Sequence, residues 1–199
     1  MSIKDLVAKN RSYRRFYEEH SITKDTLLSL VDYARLTASG ANKQPLRYIV
    51  AFEKENNEKI FSTLGWASYL THWAGPEPGE RPSAYIVILE DKNNKMVAGV
   101  DHGIAAQTIL LGAVEIGLGG CILGNIQRSK LQENLGIPEQ YEILLVVALG
   151  KPKEVVIIEE IQEGGDIRYW RDEKQVHHVP KRKLENIVLN YGSSNSGNV

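Results

Sequence analysis

Ala84-Tyr85-Ile86-Val87-Ile88-Leu89 is six residues without a charge, and its interior is β-branched or aromatic throughout. A short, unbroken apolar run of this composition reads as a buried strand. Two more runs share the pattern. Tyr48-Ile49-Val50-Ala51-Phe52 lies upstream, and Ile143-Leu144-Leu145-Val146-Val147-Ala148-Leu149 lies downstream, closed by Gly150-Lys151-Pro152. Asp91 to Asn94 forms the turn that leaves the central run.

Helical signals separate these strands. Ser2 is placed to cap a short helix carrying Ile3, Leu6 and Val7. Thr23 caps the next, with Ile22 and Leu27 as a hydrophobic staple and Leu27, Leu30, Val31 and Ala34 on its apolar face. That helix ends before Gly40. Residues 54–64 read as helical, and Gly65 to Pro82, rich in Gly, Pro and aromatic residues, as a loop. Asp101 opens a long helix with Ile104, Thr108, Leu111 and Val114 one turn apart. Its small residues (Ala105, Ala106, Gly112, Ala113) predict close packing all round it. Ser129 and Gln132 form a capping-box pattern for a short helix stopped by Gly136 and Pro138. Beyond Pro152 no amphipathic unit stands out until Lys183–Leu189. Such a stretch predicts an arm that embraces a partner subunit. The residues from Gly192 onward are small and polar and read as disordered.

The 199 residues fit one domain, with 42% hydrophobic and 25% charged residues, as expected of a globular protein. A net charge of −1 gives no global attraction for nucleic acid or an anionic membrane. The single cysteine, Cys121, excludes an internal disulfide framework. The histidines, with His177 and His178 adjacent, lack zinc-ligand spacing. With no apolar signal core or spanning run, a cytoplasmic protein is the expectation.

Four short segments carry the candidate chemistry. Arg11-Ser12-Tyr13-Arg14-Arg15 gathers three guanidiniums and a hydroxyl in a form suited to phosphate oxygens; a solvated turn is the plain alternative. In Ser39-Gly40-Ala41-Asn42-Lys43-Gln44-Pro45, Gly40 allows positive φ, and Ser39, Asn42 and Gln44 offer short polar groups. This segment also reads as an ordinary helix end. Gly117-Leu118-Gly119-Gly120-Cys121-Ile122-Leu123-Gly124-Asn125 implies that a flat group or another backbone comes very close. Its glycines follow a helix rather than a strand, which disfavours a phosphate loop and leaves an aromatic ring system or a tight turn. Cys121 beside them reads as a small buried hydrophobe rather than a nucleophile. Pro180-Lys181-Arg182-Lys183 is a second basic cluster, suited to complete the neutralisation of a dianion or to begin a solvated helix.

Taken in order, these segments resemble the nitroreductase family of flavin mononucleotide (FMN) proteins over about residues 3 to 189. The motifs are Asn10-Arg11-Ser12-Tyr13-Arg14-Arg15-Phe16, Ser39-Gly40-Ala41-Asn42-Lys43-Gln44-Pro45, Asp101-His102-Gly103-Ile104-Ala105-Ala106-Gln107 running into Gly117-Leu118-Gly119, and Leu149-Gly150-Lys151-Pro152 followed by Pro180-Lys181-Arg182. The resemblance implies an α+β fold with a central, mostly antiparallel sheet flanked by helices, in an intertwined homodimer with FMN at the interface. It implies one domain over residues 1–191, its dimer arm starting near 153, and a disordered tail over 192–199. Carried over, Arg11, Ser12 and Arg14, with Lys181, Arg182 and Lys183, hold the FMN phosphate and ribityl chain. Ser39, Gly40, Asn42 and Gln44 approach the isoalloxazine from the other subunit. Ile122, Leu123 and Gly124 match the strip whose backbone N–H faces flavin N5.

The implied activity passes two electrons from NAD(P)H through the flavin to a small acceptor such as a nitroaromatic or quinone, in ping-pong fashion, with no side-chain acid or base required. This sequence departs from the family where an arginine reaches the pyrimidine edge: Asn10 stands there, which implies a lower flavin potential, and Arg15 is the candidate substitute. Leu46 replaces an aromatic residue. Trp66, Tyr69, His72 and Trp73, with Tyr169, Trp170 and Arg171, are candidates to wall the substrate side or to pack a dimer. Rival readings are reductive dehalogenation or flavin fragmentation on the same scaffold, a flavin carrier without turnover, and a dimeric scaffold without flavin.

Overall fold

The run Ala84-Tyr85-Ile86-Val87-Ile88-Leu89 forms a strand whose two faces serve two different cores. Ala84, Ile86 and Ile88 enter one apolar cluster, and Tyr85, Val87 and Leu89 enter a second. A period-2 backbone sends alternate side chains to opposite faces, so a strand covered on both sides must be apolar throughout. The computed structural model describes residues 1–94 and 99–189. The chain divides into two compact units, Met1–Glu154 and the segment from Val155 onward.

The first unit holds one sheet of β1 (Phe16–Tyr17), β2 (Leu46–Ala51), β3 (Ala84–Asp91), β4 (Gly119–Leu123) and β5 (Tyr141–Pro152). Every pairing in it is antiparallel. β5 is the spine. Along one edge it pairs with β3, from Ala84↔Leu149 to Asp91↔Tyr141, with a bulge between Ile88 and Leu89. β5 also pairs with β4, Leu123↔Val146 through Gly119↔Gly150, and with β1 at Phe16↔Pro152. β2 extends the sheet beyond β3.

Helices cover both faces: α1 (Ile3–Lys9), α2 (Lys24–Arg35), α3 (Lys54–Phe61), α4 (Asp101–Glu115) and α5 (Arg128–Leu135). α2 and α4 supply Leu27, Leu30, Ala106 and Ile109 to the first cluster. α3 and α5 supply Ile60 and Leu131 to the second. Burying each large aliphatic side chain in these clusters stabilises the unit by about 1.5–3 kcal/mol. The caps expected from the sequence are present. Ser2 and Asp5 close a capping box, and the Thr23 hydroxyl accepts the Thr26 N–H. Ile22 and Leu27 are both buried beside that cap.

Elsewhere the structure differs from the sequence reading. β2 starts at Leu46, and only Ala51 of it is fully buried, because it is the outer strand. The helix expected over 54–64 stops at Phe61. α4 buries Ala105, Ala106, Ile109, Leu110 and Ala113, whereas Gly103, Ile104 and Gln107 face outward, so it is not packed all round. Its Gly112 has a packing reason: a Cβ there would lie 2.6 Å from the Tyr33 ring of α2. No capping box forms at Ser129, since the helix already starts at Arg128 with Gln127 as its N-cap. Gly136 does end it, in the left-handed conformation.

The second unit is a small sheet rather than a chain without structure. β6 (Val156–Ile161) runs parallel to β8 (His177–Arg182), and β7 (Trp170–Arg171) pairs antiparallel with β8 at His177 and His178. Pro180 is tolerated in β8 because the β7 pairing ends at His178, leaving that side an edge. Lys183–Leu189 contains only a 3-10 turn, Leu184–Asn186. The tail expected to be disordered, from Gly192, lies outside the described residues. Among those residues, no helix is long and apolar enough to cross a membrane, and no three His, Cys, Asp or Glu side chains converge as a metal site.

Candidate functional site

The basic turn is built onto the end of α1. Helix ends leave carbonyls unpaired, and here side chains that follow the helix take them up. Arg11 Nη2 donates to Val7 O at 2.7 Å, and the Tyr13 hydroxyl donates to Lys9 O at 3.0 Å. The Arg11 guanidinium keeps one buried nitrogen, Nε, with no protein partner. Burial pulls the Arg11 pKa below its ordinary value. Ser12 is exposed and forms an isolated bridge to Gly120, reinforced by Tyr13 N–H donating to Gly120 O at 3.0 Å. The turn is thereby sewn to β4. Asn10 is buried.

Arg14 and Arg15 take different roles from the neighbours they resemble in sequence. Arg14 is 9% exposed; its backbone N–H donates to the Glu154 carboxylate and its Nη1 to Ser12 O at 3.2 Å. Arg15 puts Nε and Nη2 onto the two oxygens of Glu80 at 2.5 and 2.6 Å. Lys153 reaches the same carboxylate at 3.0 Å. The Arg15 hydrogen bonds, with help from Lys153 and against partial burial, pull the Glu80 pKa down to about 2. The Arg15 guanidinium, the expected substitute for a pyrimidine-edge arginine, thus has its bidentate fork on Glu80.

The loop before β2 is held by a residue the sequence reading passed over. Asp101, 7% exposed in the first turn of α4, accepts the Ser39 hydroxyl at 2.6 Å and the Gly40 N–H at 3.1 Å. Ser39 Oγ in turn accepts the Gln44 N–H at 2.9 Å, and Gln44 Nε2 donates to Asn42 Oδ1 at 3.1 Å. The positive φ expected at Gly40 falls instead on Ala41, Asn42 and Gln44, at 50°, 53° and 49°. Three left-handed non-glycine residues so close together store strain that the Asp101 contacts must hold. A cavity of about 280 Å³ opens beside them, lined by Ser39, Gln44, Tyr48 and Asp101 among others. An aspartate at the head of a helix of small apolar residues is the signal in the sequence that points to Asp101.

The glycine-rich segment is a strand, β4, and the glycines at its start are explained by the protein itself. A Cβ on Gly120 would sit 2.2 Å from Ala148 O, and one on Gly119 would sit 2.6 Å from the Tyr13 ring. Gly117 turns the chain out of α4 with φ 78°. Gly124, just past the strand, is different: it is exposed, and a Cβ there would meet only Leu145 Cδ2 at 3.8 Å. Ile122 is 37% exposed, whereas Leu123 is buried. Cys121 is buried, and desolvation pushes its thiol pKa up, the wrong direction for a nucleophile.

Of the aromatic wall candidates, Trp66 belongs to the second core cluster and Trp73 packs against it. In the second unit, Trp170 is 45% exposed and stacks on His178 with ring centroids 3.9 Å apart. Lys181 and Arg182 are exposed at the end of β8, and Lys183 lies 3.8 Å from Glu160.

Comparison with known proteins agrees with this architecture. A nitroreductase family protein of Clostridium novyi NT superposes with a TM-score of 0.64 at 26% identity, over 77% of this chain and 86% of that one. An FMN-dependent nitroreductase of Clostridium difficile R20291 superposes with a TM-score of 0.60 at 22% identity, over 82% of this chain and 92% of that one. An NADPH-flavin oxidoreductase of Vibrio harveyi is 41% identical over 61 residues, which is 30% of this chain and 25% of that protein. The model of the nitroreductase family itself matches residues 7–151, nearly the whole first unit, and the chain belongs to that family.

Proposed function

We propose that this chain is an FMN-dependent oxidoreductase that takes two electrons from NAD(P)H and delivers them to a small acceptor, such as a nitroaromatic or quinone, by ping-pong turnover. One observation carries the reading. The Arg11–Ser12 turn is fastened to β4 at Gly120, and the same strand leads to the exposed backbone of Gly124. A candidate phosphate-binding pair and a backbone open to a flat ring are thus linked through one strand. The family match and the flavin oxidoreductase relative support the same chemistry.

The residues fit FMN on a test independent of the family. Arg11 Nε is a buried donor without a protein acceptor, and the next residue, Ser12, is exposed and carries a hydroxyl. A phosphate oxygen satisfies both, and charge-assisted contacts of this kind are the strong ones. In this proposal Arg11, Ser12 and Arg14 bind the phosphate side, with Lys181, Arg182 and Lys183 as the second cationic group. Asn10 lies toward the pyrimidine edge, where its neutral amide leaves the flavin potential low. Ser39, Gly40, Asn42 and Gln44 form a rigid lip for the ring, and Ile122, Leu123 and Gly124 lie along its N5 edge. Bound FMN supplies the chemistry itself, accepting hydride from the nicotinamide and passing the electrons on.

The working form in this proposal is a homodimer with FMN at the interface, in which the segment from about 153 is the embracing arm. Exposed apolar residues on α2 and α4 support it: Leu28 46%, Leu36 67%, Val100 73% before α4, and Ile104 38%. The deciding experiment is spectroscopic. Purified protein, or protein mixed with FMN, is expected to show a flavin absorption band, to bleach with NAD(P)H in the absence of oxygen, and to recover colour on addition of p-benzoquinone. Protein that stays colourless with FMN, or binds FMN but does not bleach, refutes the reading.

A further inference from the structure

β4 leaves the sheet beside an irregularity in its partner. Its last pairing with β5 is Leu123↔Val146, and the next residue, Gly124, is exposed. In β5, Ile88 pairs with Leu145 and Leu89 with Ile143, so Leu144 is the extra residue of a bulge. One side chain takes up the carbonyls at this point. Arg128, the first residue of α5, donates from Nε to Ile143 O at 2.9 Å and from Nη2 to Leu144 O at 3.3 Å. The same Nη2 lies 3.4 Å from Gly124 O. On the other side of Gly124, Asn125 O accepts the Gly65 N–H at 2.9 Å. The exposed residue is thus held between Leu123 in the ladder and Asn125 in its own hydrogen bond.

The charge on Arg128 is not used by these contacts. Arg15, Arg35, Arg47 and Arg168 each lie within 3.8 Å of a carboxylate oxygen. Among the described residues, Arg128 has only the three backbone carbonyls as partners. A carbonyl orients a guanidinium but does not neutralise it. Helix stability does not account for the charge either. A cation in the first turn opposes the helix dipole, and α5 has no acidic residue there to offset it. Stapling α5 to β5 needs a donor, not a charge.

A positive charge is therefore fixed against the carbonyl of the one glycine in this segment that is exposed and has room for a ligand. Reduction by two electrons makes a flavin ring more negative, and charge near its N5 edge is one of the means by which a protein sets its potential. Resting on the reading that Gly124 lies along that edge, we propose that Arg128 is a positioning residue for FMN, whose unpaired charge favours the reduced ring and raises a potential that Asn10 leaves low.

The test compares wild type, Arg128→Gln and Arg128→Lys, each loaded with FMN and reduced stepwise by dithionite beside an indicator dye of known potential. Arg128→Gln is expected to lose about three- to tenfold of its preference for reduced over oxidised FMN, a potential lower by about 15–30 mV for a two-electron couple. Arg128→Lys keeps a cation and is expected to recover at least half of that shift. Arg128 is exposed, so the gap between wild type and Arg128→Gln is expected to shrink in about 1 M salt, where charges are screened beyond about 3 Å. A residue that only staples α5 to β5 weakens both redox forms alike and leaves the potential where it was; that result overturns the proposal. So does an Arg128→Lys potential as low as that of Arg128→Gln, or a gap that salt leaves unmoved. Wild-type protein that takes up no FMN overturns the flavin reading itself, whereas loaded proteins of equal potential overturn only the role of Arg128.

Discussion

The Asp101 carboxylate grips the loop before β2 at two points, the Ser39 hydroxyl at 2.6 Å and the Gly40 N–H at 3.1 Å. Hydrogen bonds to a buried charged group contribute about 1.5–3 kcal/mol each, and removal of the acceptor leaves both donors to find water. Asp101→Ala is expected to lower stability by about that amount, and Asp101→Asn by less, because an amide oxygen still accepts from Gly40. Urea unfolding measures the difference. An unchanged midpoint in Asp101→Ala removes the grip from the account of the strained loop.

Arg11 already spends one nitrogen on Val7 O at 2.7 Å, which caps α1, and keeps Nε for a ligand. Arg11→Ala is expected to weaken FMN binding by about 1.5–3 kcal/mol, roughly 10- to 150-fold in Kd. Fluorescence titration of FMN into the apoprotein gives the number. Wild-type affinity in the variant takes Arg11 out of the site.

Two glycines of the same segment should respond oppositely to a methyl group. Gly120→Ala forces a Cβ to 2.2 Å from the Ala148 carbonyl oxygen across the β4–β5 ladder. Backbone cannot yield as a side chain does, and a loss of about 1–3 kcal/mol or more is expected. Gly124→Ala meets only Leu145 Cδ2 at 3.8 Å, so its unfolding midpoint should stay near wild type while FMN affinity falls. If thermal melts show both equally destabilised, or Gly124→Ala binds FMN normally, the division between packing and ligand glycines is wrong.

In the second unit, His178 sits between two acids, with Nδ1 2.6 Å from Glu159 and Nε2 3.4 Å from Asp172. Burial alone disfavours the charged ring, but the two carboxylates outweigh it and hold the pKa above 6.5. The folded unit then binds the proton more tightly than the unfolded chain. Its contribution to stability is complete below 6.5 and is lost as pH rises through the raised value. Amide exchange over residues 156–161, corrected for intrinsic rates, should show less protection at about pH 8 than at about pH 6. His178→Gln should flatten that difference; a profile identical to wild type disposes of the clamp.

What the sequence made legible follows from how locally each element is specified. Ser2 and Thr23 cap their helices through contacts three residues away, and β3 is apolar because both its faces are covered. These were readable. β4 was not, because Gly119 and Gly120 have poor strand propensity; they are strand residues only because Ala148 and the Tyr13 ring come too close for any side chain. The sheet after Val155 was also hidden, since its strands are half-exposed and β8 contains a proline. In the candidate site, the basic turn and the polar loop were visible as residue types. Their anchors, Glu80 under Arg15 and Asp101 under Ser39, lie 65 and 62 residues away in the chain, and no local pattern announces a contact at that range.

The pairing of Phe16 with Pro152 sets a constraint on synthesis. A ribosome delivers residues in order, and β5, to which β1, β3 and β4 all attach, is the last strand of its unit to emerge. Until then β2 and β3 have only each other, and the apolar run from Ala84 to Leu89 presents an open edge to its surroundings. Contacts this distant in sequence are slow to form. The nascent chain therefore spends the translation of α4, β4 and α5 in its most aggregation-prone state, and closure of the first unit waits for a residue that leaves the exit tunnel only after nearly all of that unit has been made.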